Sequence, residues 1–152
     1  MKLIVACEKN GGIGFQNKLP WDKINGDLPR FKKLTEGGVV VMGSNTYRSL
    51  SCKPLPNRIN FIVTGDLGFY PSCCFTIRNL DYLKGFKNAW LIGGSKLIET
   101  NWDRINEIYL TQTFAEYECD RFIDLDYIRK NFKIKSASGH GDHNYEVLIR
   151  DV

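Results

Sequence analysis

Five short apolar runs constrain this fold more than anything else in the chain: LIVAC (3–7), VVVM (39–42), INFIV (59–63), AWLI (89–92) and EIYLTQT (107–113). Each is strand-length, and most do not alternate between apolar and polar residues. A strand that is apolar on both sides has to be covered on both faces, as in a mostly parallel sheet. Helical candidates separate the runs, at 27–36, 44–50, 80–86 and 95–101. This alternation predicts an α/β fold with right-handed crossovers and helices flanking a central sheet. The tail differs. Residues 132–138 and 145–152 alternate, and the turn-forming SGHGDHN lies between them, which predicts an antiparallel hairpin at the sheet edge. There is no linker, repeat or low-complexity segment, so residues 1–152 are expected to form one domain.

Several function classes are excluded early. No apolar run approaches the roughly 20 residues needed to span a bilayer. The start, MKLIVAC, is too short in apolar length for a signal peptide and fits a first strand. A soluble, cytoplasmic protein without a membrane partner is expected. The cysteines, Cys7, Cys52, Cys73, Cys74 and Cys119, are odd in number and contain no C-x-x-C, so they predict free thiols rather than a disulfide framework or a zinc site. The net charge of +4 is spread along the chain, unlike a nucleic-acid-binding stripe. Lys32 and Lys33 suit the solvated face of the first helix. His140 and His143, in HGDH, are either a metal pair or part of a solvated hairpin turn. The Gly- and Asn-rich surroundings favour the turn, and no metal is assigned. Nothing in the sequence marks an interface, so a monomer is the default.

The stretch GIGFQNKLPWDKINGDLPRF (12–31) carries the strongest chemical signal. A glycine loop runs into a Leu-Pro-Trp anchor, and Asp27 then heads an amphipathic helix. Asp27, Leu28 and Phe31 are spaced i, i+1 and i+4 and can share one helix edge. One carboxylate beside apolar and aromatic groups suits a flat, cationic or amidine-bearing ring. Asp before Leu-Pro is also a good helix N-cap, and the two roles are compatible.

Two strand ends carry glycine, then small polar residues, then a helix. In VVVMGSNTYRSL, Gly43 is followed by Ser44, Asn45 and Thr46; in AWLIGGSKLIE, Gly93 and Gly94 are followed by Ser95 and Lys96. Open helix starts present backbone N–H groups to phosphates. Neither segment is a G-x-G-x-x-G or P-loop motif, and a plain helix-capping turn is the competing explanation. Arg58 follows a Pro-x-Pro turn at a strand head, where it either forks a carboxylate or is an ordinary surface arginine. Thr111 either bonds a carboxylate on a neighbouring element or fills a strand position.

Taken in order, GIGFQNKLPW, DLPRFKKLT, VVVMGSNTYRSL, PLPNRINFIVT, AWLIGGSKLIE, IYLTQ and AEYECD resemble the dihydrofolate reductase family along almost the whole chain. The resemblance implies an NADPH-dependent oxidoreductase. It would move a hydride from nicotinamide C4 to C6 of 7,8-dihydrofolate, with protonation at N5, and so support one-carbon metabolism and thymidylate synthesis. Its partners would be this small-molecule substrate and antifolate inhibitors. Asp27 matches the ionisable residue that pairs with the pterin 2-amino group and N3, and Thr111 the hydroxyl supporting it. Ile4, Val5, Leu28, Phe31 and Leu50 match positions around the pterin and benzoyl rings, and Arg58 the fork on the glutamate α-carboxylate. Residues Gly12 to Leu19 resemble the loop that closes over the nicotinamide. The implied cofactor groove takes Ala6, Ile13, Gly14, Asn17, Lys18, Leu19, Gly43, Ser44, Asn45, Thr46, Thr64, Gly65, Arg78, Ile92, Gly93, Gly94, Ser95, Lys96, Leu97 and Ile98. The Gly93–Gly94 bond would be cis.

Departures from the family pattern bear on cofactor choice. Ser44 stands where many bacterial members have a basic residue on the adenosine 2′-phosphate, leaving Lys96 and Arg78 to supply charge. Ile98 stands where an aromatic residue often sits beside the nicotinamide. One extra residue lies between Trp21 and Asp27 and another between Leu50 and Arg58, which leaves the match of Lys53 open. The alternatives are a related pteridine or pyrimidine reductase, and a folate- or nucleotide-binding module without turnover.

Overall fold

Burial on both faces shapes the sheet as the apolar runs require. A computed structural model describes residues 1–66, 68–86 and 88–151. The runs form β1 (Lys2–Cys7), β3 (Val39–Gly43), β4 (Ile59–Val63), β6 (Ala89–Leu91) and β7 (Glu107–Thr113), with β2 (Gly12–Gly14) and β5 (Phe75–Ile77) between them. Successive side chains separate into two cores. Leu3, Val41, Leu91, Ile108 and Leu110 join one; Ile4, Val40, Met42, Ile62 and Trp90 join the other. The strand period of two produces this division, and apolar side chains dominate both cores.

Among the described residues the sheet has eight strands in the order β5-β4-β3-β6-β1-β7-β10-β9. Here β9 is Phe132–Gly139 and β10 is His143–Arg150. β1 runs parallel to both β6 and β7, and β3 runs parallel to β6 and β4. Within this sheet, among the described residues, the antiparallel pairs are those of β10 with β7 and with β9, the latter with a register shift between Val147 and Leu148. The expected α/β fold with a terminal hairpin is therefore present, and β9 takes the edge. Val152, the last residue of the expected hairpin, lies outside the described residues. A separate two-stranded ribbon pairs β2 with β8 (Arg121–Phe122).

The helices are α1 (Asp27–Thr35), α2 (Ser44–Ser49), α3 (Ser95–Glu99) and α4 (Leu125–Asn131). The helix expected over 80–86 is only a 3₁₀ turn, Leu80–Leu83, started by Asn79 accepting from the Asp81 N–H at 2.9 Å. Gly85 and the tight Phe86 N–H to Leu83 carbonyl bond (2.9 Å) end it early. α4 is absent from the sequence expectations. Its start is capped by Asp124, which accepts from the Tyr127 N–H at 2.9 Å, and Arg129 and Lys130 lie in its last turn. β5 and β8, of three and two residues, carry too few side chains for a visible period.

The hairpin corrects one expectation. His140 is exposed, but His143 is only 2 % exposed and is no solvated turn residue. Its Nδ1 pairs with Asp142 at 2.6 Å, and its ring stacks on His140 at 5.4 Å. The opposite parity of β10 turns Glu146 toward α4, where Arg129 forks it. Among the described residues no helix is long and apolar enough to cross a membrane, and no cluster of three or more His, Cys, Asp or Glu could hold a metal. The five cysteines are free, and burial raises the Cys7 thiol to about 12.

Leu148, fully buried opposite Ile108, tests how far the hairpin belongs to the core. Leu148→Ala should destabilise the protein by about 3 kcal/mol, read as a lower urea midpoint in a single cooperative transition.

Candidate active site

The start of α1 frees a carboxylate. Its N-cap is Gly26, at φ +81°, a left-handed conformation that favours glycine. No side chain caps this helix, so Asp27 is its first residue and not its cap. Pro29 sits in the first turn, where its missing N–H costs nothing. The Asp27 carboxylate instead accepts a hydrogen bond from the Thr111 hydroxyl, Oδ1 to Oγ1, at 2.7 Å. Strand parity explains this partner. Tyr109 packs in the α1-side core, so Thr111, two residues on, faces α1 as well. Thr111 is 2 % exposed, and a buried hydroxyl needs such a partner.

Register extends the floor of the site. Ala6 pairs with Thr111, and Thr111 with Tyr145, so three adjacent strands place these residues in one row. Ile4 is buried on the same face. Val5 is turned the other way: its side chain packs against the opposite core, leaving its main chain to this side. Phe31 and Leu50 are half-buried against the α1-side core, while Leu28 is exposed at the rim. The result is an apolar trough with one carboxylate at its base.

Arg58 marks the outer end of α1. Its Nε donates to the Pro56 carbonyl at 2.8 Å and an Nη to Thr35 Oγ1 at 3.0 Å. The Thr35 hydroxyl in turn donates to the Phe31 carbonyl at 2.8 Å, and the guanidinium lies 5.9 Å from the Phe31 ring centre. Burial lowers the proton affinity of Arg58, yet a guanidinium stays charged at any working pH. Held at two points, it still has donors to offer a carboxylate.

The two glycine junctions lie side by side, because β3 and β6 are paired neighbours. The Gly43 N–H donates to the Gly93 carbonyl at 3.0 Å, and the Gly93–Gly94 bond is cis. Gly93 has φ +135°, and a Cβ on either glycine would lie 3.3 Å from Thr46 Oγ1. Neither α2 nor α3 has a side-chain cap, so their first N–H groups stay open to a ligand. Thr64 and Gly65 follow β4, and exposed Arg78 follows β5. Ligands of open parallel sheets bind at such strand ends. Ser44 and Ser95 open the two helices, with Asn45 next after Ser44; Lys96 is exposed on α3, and Ile92 and Leu97 are half-buried. Open N–H groups and glycines at the close approach fit a dinucleotide. Ile98 differs from expectation: it is 1 % exposed and belongs to the opposite core, so its side chain forms no wall of the open groove.

The loop from Gly12 to Leu19 is held at its base. Glu8, 1 % exposed, accepts from the N–H groups of Asn10 (2.7 Å) and Gly12 (2.8 Å). The Asp120 N–H donates to the Gly14 carbonyl at 2.9 Å, and Asp120 Oδ2 accepts from the Gln16 N–H at 3.0 Å. Ile13 is half-buried, while Asn17, Lys18 and Leu19 are exposed. Trp21 is buried, with its ring edge-on to Tyr117 at 6.0 Å. Sequence reasoning missed Glu8 and Asp120. The loop's link to Asp120 spans 104 residues, and no local spacing signals it.

Several known proteins are similar to this chain. The family model described as dihydrofolate reductase matches residues 1–150. The chain is 34% identical over 158 residues to a bifunctional dihydrofolate reductase-thymidylate synthase of Paramecium tetraurelia, matching 97% of this chain but 34% of that protein. The chain thus spans about a third of that relative's length. It is 34% identical to the type 8 dihydrofolate reductase of Escherichia coli, across 93% of this chain and 90% of that one. A Staphylococcus aureus dihydrofolate reductase is 33% identical, over 90% of this chain and 85% of that protein. Among solved structures, the Enterococcus faecalis dihydrofolate reductase complexed with NADP(H) and RAB-propyl superimposes with a TM-score of 0.87. It has 26% identity, covering 99% of this chain and 96% of that one. By sequence and fold, the chain belongs to the dihydrofolate reductase family.

Proposed function

We propose that this chain reduces 7,8-dihydrofolate to tetrahydrofolate with NADPH, using one domain that carries both ligands. The observation that carries this reading is the Thr111–Asp27 pair, a single carboxylate oriented by a buried hydroxyl in an apolar trough. When bound, the cofactor supplies a hydride from its nicotinamide ring. The backbone N–H groups at the starts of α2 and α3 would hold its phosphates, with Lys96 and Arg78 supplying positive charge. Gly93 and Gly94 let its backbone-facing edge approach closely.

Asp27 binds the 2-amino group and N3 of the pterin, and its hydrogen bond from Thr111 fixes the carboxylate plane. Phe31, Leu28 and Leu50 hold the ring faces. Arg58 forks the glutamate α-carboxylate. With both rings held in contact, most of the catalysis is positioning. The Gly12–Leu19 loop closes over the site and excludes water from the reacting carbons. The negative charge of Asp27 favours a proton at N5, and a water delivers it. The rate therefore falls as pH rises and the proton at N5 becomes scarce. The same trough accepts antifolates. The protein acts in the cytoplasm as a monomer; a light-scattering mass of two chains would overturn the latter.

Asp27→Asn should keep the fold and lower dihydrofolate turnover by about 100-fold or more at neutral pH; full activity in this variant would sink the assigned role. Arg58→Leu should weaken dihydrofolate binding by about 10- to 100-fold, the value of a charge-assisted fork, and spare NADPH binding in calorimetry. Equal loss of both ligands would make Arg58 structural. In steady-state assays with NADPH and NADH, Lys96→Ala combined with Arg78→Ala should shrink the NADPH preference. An unchanged ratio would place the 2′-phosphate on other groups.

A further inference from the structure

Glu8, the first residue after β1, is 1 % exposed. Its Oε1 accepts from the Asn10 and Gly12 N–H groups at 2.7 and 2.8 Å, and its Oε2 accepts from the Tyr117 N–H at 3.4 Å. All three donors are main-chain groups, so this buried carboxylate fixes backbone and not side chains. Two of the donors lead into the Gly12–Leu19 loop. The third lies 109 residues from Glu8, in the segment between β7 and β8. A buried carboxylate is tolerated only when such donors surround it, and a charged acceptor binds them more strongly than a neutral one.

The two sides of this clamp reach opposite ends of one loop. Gly12 begins it, and the Glu8 N–H also donates to the Gly12 carbonyl at 2.8 Å. Trp21, just past Leu19, ends it: the indole is 6 % exposed and meets the Tyr117 ring edge-on at 6.0 Å. Tyr117 is held through both of its main-chain groups, its N–H by Glu8 and its carbonyl by the Cys119 thiol at 3.4 Å. Burial, then the charges of Glu8 and Asp120, raise the Cys119 thiol, which stays protonated and able to donate. The same sulfur covers the loop start, where a Cβ on Gly12 would lie 2.2 Å from it. Between the two ends, Gln16, Asn17, Lys18 and Leu19 are exposed, and Phe15 and Lys18 close a tight tip through bonds of 2.8 and 3.0 Å. The loop is thus a compact tip carried between two anchored ends.

We propose, resting on the reading of this loop as the cover of the nicotinamide, that Glu8 is a positioning residue that anchors both loop ends and so sets how readily the loop closes. With its ends held, the exposed middle has few arrangements, and closure costs little conformational entropy. With the clamp opened, the tip samples more arrangements, and fewer of them exclude water from the reacting carbons. Glu8 acts through the loop main chain, so hydride transfer slows while the affinity for dihydrofolate changes little.

The test compares wild type, Glu8→Gln, Glu8→Ala, Tyr117→Ala and the Glu8→Gln/Tyr117→Ala pair. Amide hydrogen exchange of residues 12–19 is followed with and without NADPH, and hydride transfer to dihydrofolate is followed in single turnovers. Glutamine keeps one oxygen for the loop N–H groups but turns an amide NH2 toward Tyr117, so it opens one side of the clamp; alanine opens both. Loop amides should exchange about 10-fold faster in Glu8→Gln, the worth of one charge-assisted hydrogen bond, and faster still in Glu8→Ala, while amides of β1 and β7 keep their wild-type rates. Hydride transfer should slow by about 10-fold in Glu8→Gln, with KM for dihydrofolate within about threefold of wild type. The double variant should be no slower than the slower of its two singles, because both changes cut the same link to Trp21. If Glu8→Ala does not fold, the other three variants decide the matter. Wild-type loop exchange or wild-type hydride transfer in folded Glu8→Gln would overturn the proposal. So would additive losses in the double variant, or faster exchange throughout β1 and β7, which would make Glu8 a general support of the fold. A wild-type protein that binds NADPH but does not reduce dihydrofolate would overturn the functional reading instead, while loop exchange would still report the clamp.

Discussion

The register of β1, β7 and β10 governs the site. Ala6, Thr111 and Tyr145 fall in one row only because each strand pair is aligned as it is. A slip of one residue would turn Thr111 into the opposite core and leave the Asp27 carboxylate without its buried donor. That register is in turn held by burial on both faces. Leu110 and Ile108 belong to one core, and Tyr109 packs against the other, so a shifted strand would bury polar groups and expose apolar ones on both sides at once. One weak-looking hydroxyl is fixed by the packing of an entire sheet.

Among the described residues, buried polar side-chain atoms other than His143 Nε2 have hydrogen-bond partners, and the partners have tasks. Asn60, 2 % exposed, accepts from the Leu55 N–H and donates to the Leu55 and Arg58 carbonyls, which shapes the approach to Arg58. Thr35, fully buried, links Phe31 to Arg58. Glu146 is forked by Arg129 and ties α4 to the hairpin. His143 Nε2 is the buried side-chain nitrogen without a partner among the described residues. Local hydrogen bonding positions the groups at the rim, whereas sheet register positions those at the floor.

Much of the fold is legible in the sequence, because strands covered on both faces leave unalternated apolar runs and each of the five runs is a strand. What fails to show is short or non-local. β5 and β8 hold too few residues for a period, and the 80–86 segment stops at Gly85 before a helix can form. Asp27 is legible as a singular carboxylate, but its release from capping depends on Gly26 adopting φ +81°, which side-chain spacing does not encode. Thr111 is legible only as a strand residue, since its partner lies 84 residues away. The orientations of Val5 and Ile98 follow from strand and helix phase in three dimensions, and both turn into the opposite core. His143 sits in a turn-like sequence yet packs beneath Tyr145, because the hairpin places it two pairs beyond the Thr111–Tyr145 row, on the same face.

The central place of β1 also has a kinetic consequence. Leu3 pairs with Leu91 on one side and Ile108 on the other. An emerging chain cannot complete β1 until β6 and β7 have followed it, and β7 then waits for β10. Contacts so distant in sequence carry a large loop-closure entropy, which slows collapse to the native order of strands. During that interval the apolar runs have no partner strands, so the period of greatest exposure to aggregation falls in synthesis and not in the finished molecule.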